Sequence, residues 1–115
     1  MPRPQNVEST TGDPRLATRL PALREILAEQ RDVATAAVTS ILTSRIDRED
    51  EMAVRARDAA LVALAVIDAA LDRIDHGRYG ICGRCGGPIA VERLAALPTA
   101  DLCIGCQWRR ESHDR

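Results

Sequence analysis

The sequence predicts a mostly α-helical chain: an antiparallel two-helix coiled-coil hairpin, then a small module built on four cysteines, closed by a short C-terminal helix. Three observations predict it. Apolar residues recur at 4-3 spacing along two long stretches, the mark of a helical seam. A short charged segment, SRIDREDE at residues 44–51, separates the two stretches. All four cysteines follow them, as two Cys-x-x-Cys pairs. The 115 residues are enough for one small domain and an arm. With one Trp, one Tyr and no Phe, packing falls to aliphatic and small residues, which suits close helix-on-helix seams.

Residues 1–15 hold three Pro and one Gly among Ser and Thr, and read as a disordered arm. The hairpin is expected over 16–76 with its tip near 45–50, and the cysteine module over 77–115. The first seam is Leu16, Leu20, Leu23, Leu27, Gln30, Ala34, Ala37, Ile41 and Ser44, widened by Ile26, Val33 and Val38. Pro21 predicts that the regular helix begins only after Leu20. Gln30, polar on the seam, is expected to fix register at a small cost in packing.

The second helix is expected from about residue 50 to residue 75, with Ala53, Arg57, Ala60, Leu64, Ile67, Leu71 and Ile74 on its seam. Leu61, Val62 and Val66 flank that seam, so the helix is greasy on more than one side and should touch something besides the first helix. His76-Gly77 ends it, with Gly77 at C′ and His76 near the helix terminus. Between the helices, six of eight residues are charged and four are acids. Asp47 is expected to cap the second helix, with Glu49, Asp50 and Glu51 favouring its N-terminal dipole. A connection this short joins antiparallel neighbours. A helix of about 25 residues is about 38 Å long, so the expected shape is a rod with an acidic tip.

Several function classes drop out. A net charge of −1 lacks the electrostatic footprint of a DNA-binding domain, so no sequence-specific DNA binding is expected. The longest apolar run, residues 59–67, is well short of the roughly 20 residues a membrane span needs. The start has no apolar signal-peptide core, which points to the cytoplasm. No Ser/His/Asp set or phosphate-cradling glycine loop is present, and no enzymatic role is expected.

The cysteines read Cys82-x2-Cys85, seventeen residues, then Cys103-x2-Cys106. This is the zinc pattern of two knuckles, each bringing two thiolates to one ion at about 2.3 Å. Reduced cytoplasmic cysteines serve better as ligands than as disulfides. Four thiolates leave no open position, so one structural Zn²⁺ is expected, worth of order 10–16 kcal/mol to the fold of the module. Gly83, Gly86 and Gly87 allow the tight turns. His113 is expected in a solvated tail. Tyr79 and Trp108 are expected to pack on the module. Arg109 and Arg110 read as solvated surface.

Residues 70–106, ALDRIDHGRYGICGRCGGPIAVERLAALPTADLCIGC, resemble the C4-type zinc-finger signature of the DksA/TraR family. The matching positions are Gly77, Tyr79, Gly80, the four cysteines, Gly86, Pro88, Ile89, Arg93, Leu94, Pro98, Thr99, Ala100 and Leu102. They cover about a third of the chain. The resemblance implies a bacterial regulator that binds RNA polymerase directly and inserts a helical hairpin into its secondary channel. The residues that would meet the polymerase are the tip acids Asp47, Asp50 and Glu51. The family's tip reads Asp-x-x-Asp-x-Ala; here Met52 takes the Ala place. Ungapped counting from the cysteines puts the tip at Thr39 and Leu42, so the resemblance implies a shortened hairpin. Positions that are basic in alarmone-binding members align with Val66, Leu97 and Gln107, which implies weak or no response to ppGpp. A monomer is expected. Two other readings stand beside this one: a zinc-ribbon nucleic-acid binder, and a homo-oligomeric helical scaffold joined through residues 59–67.

Overall fold

Two long helices dominate the computed structural model, which describes residues 13–44 and 50–113. α1 spans Leu16–Thr43 and α2 spans Glu51–Asp75; the short α3 (Val91–Ala96) and α4 (Ile104–His113) belong to the cysteine module. Arg24 pairs with Asp75 at 3.2 Å, and Arg31 pairs with Asp68. A step of seven residues up α1 is thus a step of seven down α2, so the helices run antiparallel. Both pairs are half exposed. They mark register more than they stabilise.

The buried stripe of α1 follows most of the expected seam: Leu16, Leu23 and Leu27 are buried and Leu20, Ala34 and Ile41 half-buried, while Val38 from its flank is buried and Gln30 and Ala37 are exposed. Leu16, Leu27 and Val38 lie eleven residues apart, a repeat of about 3.67 per turn. A helix of 3.6 residues per turn drifts about 20° per heptad, and α1 follows its own period. Arg31 reaches across to Asp68 of α2, and Gln30 lines the groove between the helices beside Ala34, Ala60 and Ile67.

α1 also begins earlier than Pro21 predicted. Its first residue, Leu16, donates its N–H to the Asp13 carbonyl at 2.9 Å and buries its side chain to 8% exposure. Proline inside a helix costs about 3 kcal/mol or more through the lost backbone bond and the clash of its ring with the preceding turn. Burial of Leu16 together with half-buried Leu20, at about 1.5–3 kcal/mol for a fully buried leucine, offsets that cost. Leu20 and Leu23 anchor the chain on either side of Pro21.

Asp50, not Asp47, caps α2: its carboxylate accepts the Ala53 N–H at 3.2 Å. Asp47 lies outside the described residues. Ile67 and Ala70 are buried on α2, and Leu64, Leu71 and Ile74 are half-buried, in line with the expected seam. At the far end the His76 ring Nδ1 lies 2.8 Å from the Asp72 carbonyl, and Gly77 turns the chain at φ +70°.

The base of the hairpin and the cysteine module share one core. Leu16, Leu23, Leu27, Ile67 and Ala70 cluster with Tyr79, Cys82, Ile89, Val91, Leu94, Ala100, Leu102 and Cys106. Gly80 lies at the joint. Its φ is +83°, and a Cβ there would collide with Leu16 Cδ2. Only glycine allows both the turn and the close approach. A polar clasp closes the same joint. Asp13 accepts the Val91 N–H at 3.4 Å, and Arg15 grips Glu92 through both carboxylate oxygens, at 2.6 and 3.1 Å. Hydrogen bonds from Arg15 hold the Asp13 carboxyl well below the usual carboxylate range. These residues come from the end of the expected arm; residues 1–12 lie outside those described.

The chain measures 58 × 34 × 23 Å, with Asp50 and Glu51 exposed at the end away from the module. Among the described residues no helix is long and apolar enough to cross a membrane.

Leu27 is fully buried at the joint and Val33 is 71% exposed. Chemical denaturation of Leu27→Ala should show a loss of about 2–5 kcal/mol, and Val33→Ala a change within about 0.5 kcal/mol.

Candidate metal centre

Each cysteine pair sits on a rigid local element. An isolated antiparallel bridge between Ile81 and Pro88 closes the first loop. Inside it, Cys82 N–H donates to the Gly87 carbonyl at 2.7 Å and Gly86 N–H to the Cys82 carbonyl at 3.0 Å. Of the three glycines read as turn formers, Gly86 alone has a positive φ, +75°. The second pair straddles the start of α4: Cys103 precedes it and Cys106 lies in its first turn. Gly83 N–H donates to the Asp101 carbonyl at 2.9 Å and ties the two loops together.

The structure brings all four predicted cysteines together. Their sulfurs lie within 4.8 Å of one another, with Cys85 and Cys103 at 3.9 Å. A tetrahedron of sulfurs about 2.3 Å from a central ion has edges of about 3.8 Å, so the set fits one zinc ion. Cys82 and Cys106 are buried, Cys103 is half-buried and Cys85 is exposed. The soft, four-sulfur donor set suits Zn²⁺ and leaves no position for water or substrate.

Every sulfur receives at least one N–H donor. The amides of Arg84, Gly87 and Cys106 reach Cys82, Cys85 and Cys103, each at 3.4 Å. Cys106 receives the guanidinium of Arg109 at 3.0 Å. Burial pushes the Cys82 thiol up, but N–H groups of Cys85, Cys103 and Arg84 outweigh it and bring it down to about 6. The amide of Cys106 lowers Cys103. Burial pushes Cys106 up to about 11. A dication entering this set displaces the protons that remain.

The two aromatic residues part company. Tyr79 is buried, as expected, and its hydroxyl donates to the Pro98 carbonyl at 2.6 Å. Burial pushes that hydroxyl up to about 12. Trp108 is 68% exposed and does not pack on the module. Cys106 fixes the inner face of α4, and Trp108, two residues on, lies about 200° around the helix. Arg109, one residue further, turns back toward Cys106. Reading it as solvated surface missed this contact; its i, i+3 spacing from a ligand on a helix was the available signal. His76 is taken up by Asp72, and the His113 side chain lies outside the described residues. Asp50 and Glu51 are the length of α2 away, about 38 Å, and have no part in this centre.

Purified protein should hold one zinc per chain by elemental analysis. Cys82→Ser and Cys106→Ser should each lose stoichiometric zinc. Chelation should melt the module, since the bound ion contributes of order 10–16 kcal/mol.

The family model of the prokaryotic dksA/traR C4-type zinc finger matches residues 77–112. The RNA polymerase-binding transcription factor DksA of Caulobacter vibrioides is 35% identical, over 79% of this chain and 69% of that protein. The factor of the same name from Escherichia coli K12 is 33% identical, over 60% of this chain and 46% of that protein. Among solved structures, transcription factor DksA2 from Pseudomonas aeruginosa superposes with a TM-score of 0.70 at 27% identity, covering 85% of this chain and 87% of that one. With its four sulfurs gathered for one ion and its helices packed as in that structure, the chain belongs to the DksA/TraR family of C4-type zinc-finger proteins.

Proposed function

We propose that the chain is a non-catalytic, cytoplasmic transcription regulator that binds RNA polymerase directly. The acidic end of its hairpin enters the secondary channel, and Asp47, Asp50 and Glu51 are the residues that meet the polymerase. Cys82, Cys85, Cys103 and Cys106 hold the structural zinc. One observation carries this reading: Asp50 and Glu51 are exposed at the end of a braced antiparallel hairpin, remote from the metal centre. Carboxylates brought near a bound Mg²⁺ change the local field without any covalent step. The relatives' names, RNA polymerase-binding transcription factor, support the same partner.

The proposed regulator responds weakly or not at all to ppGpp. Val66 and Leu97 are exposed apolar side chains, and the Gln107 amide donates to Glu111 at 2.9 Å. None offers a cation to a phosphate.

A second reading, self-association, is favoured by one feature. Residues 33–44 and 59–67 contain no charge, and Val33, Val62 and Val66 stand 71%, 62% and 42% exposed there. Light scattering that shows only monomer at high concentration removes this reading.

The channel reading is tested by transcription in vitro with the cognate polymerase. Asn is as good an N-cap as Asp, so Asp50→Asn keeps the cap of α2 and removes only the charge. Asp47→Asn/Asp50→Asn should abolish the effect on transcription while the protein still co-purifies with core polymerase. An unchanged effect contradicts the tip assignment. Adding ppGpp should leave the wild-type effect unchanged.

A further inference from the structure

We propose that Arg109 is the charged outer partner of the metal centre: its guanidinium holds the Cys106 thiolate in place and slows loss of the ion. The inference rests on the four cysteines holding zinc.

Three sulfurs draw their donor from backbone: Cys82 from Arg84, Cys85 from Gly87 and Cys103 from Cys106. Cys106 cannot follow that pattern. It lies inside α4, where the amides that follow it are drawn into helical bonding. The Gln107 N–H, for example, donates to the Cys103 carbonyl at 2.9 Å. A side chain must supply the missing donor, and α4 brings Arg109 to the same face three residues on. Its Nη2 lies 3.0 Å from Cys106 Sγ, closer than the 3.4 Å of the three amides.

Charge gives the contact further weight. Four thiolates and one dication leave a net charge of −2, and Cys82 and Cys106 carry their share away from water. Among the described residues, Arg109 is the cationic side chain in hydrogen-bond contact with a sulfur, and it forms no ion pair with a carboxylate. A charge-assisted bond is about twice as strong as a neutral one, and it acts on a fully buried ligand. Both arginines are exposed, but Arg109 alone of the two contacts a sulfur among the described residues, so Arg110 serves as the internal control.

The test uses the full chain, zinc-loaded, as wild type, Arg109→Gln, Arg109→Lys and Arg110→Gln, with helicity checked by circular dichroism. Zinc release to a colorimetric chelator should be about 10–100-fold faster in Arg109→Gln. Arg109→Lys should fall between that variant and wild type, and Arg110→Gln should match wild type. In cobalt-loaded protein, the sulfur-to-metal charge-transfer band of Arg109→Gln should move to longer wavelength, because an unassisted thiolate gives up electron density more easily. Release within about twofold of wild type, with an unmoved cobalt band, overturns the assignment. Equal release rates in the Lys and Gln variants overturn the role of charge. A wild-type chain that takes up no zinc fails the metal reading itself, a result distinct from either.

Discussion

Four cysteine sulfurs gathered within 4.8 Å of one another set the terms for the lower half of this molecule. As thiolates they repel, and a cluster so tight persists only with protons or a dication among them. The ligands come from two loops separated by seventeen residues, so an ion that binds all four closes a chain too short to build its own core. Two ligands, Cys82 and Cys106, are also core residues. They belong to the same buried cluster as Leu94, Ile89 and Val91 of the module and Leu16, Leu23 and Leu27 of α1. The metal centre is therefore linked to the hairpin through one continuous core.

Further contacts tie the module to the hairpin. Leu16 rests on the bare backbone of Gly80, Arg15 clasps Glu92, and the Arg73 guanidinium reaches the Thr99 carbonyl at 3.3 Å. Above the joint, packing thins. The last large buried residue of α1 is Val38, and Leu42 and Met52 stand well exposed toward the tip. The molecule has a braced base and a lightly packed far end. That division suits the proposed role, in which the tip is received by another surface.

Much of this was legible in the sequence. The cysteine spacing located the metal centre, and 4-3 periodicity with a short charged connection located an antiparallel hairpin. His76-Gly77 marked the end of α2, and Tyr79 was rightly placed against the module. What the sequence hid came from tertiary geometry. A seam counted in strict heptads buries Gln30 and Ala37, but both line an open groove between the helices and stay exposed, while Arg31 reaches across to α2. Pro21 argued for a later start, and burial of Leu16 and Leu20 in the shared core offset it. Asp47 and Asp50 are equal as caps on composition, and only the backbone path chose Asp50. Trp108 and Arg109 exchanged their expected roles because the phase of α4 is set by Cys106, which no propensity rule includes.

The central claim is that the metal centre, through the shared core, holds the base of the hairpin. Hydrogen exchange of the full chain, with and without zinc, tests it most directly. Removing zinc should expose amides in the module and also in the Leu16–Leu27 stretch of α1. Loss of protection confined to residues 82–106, with α1 unchanged, would contradict it.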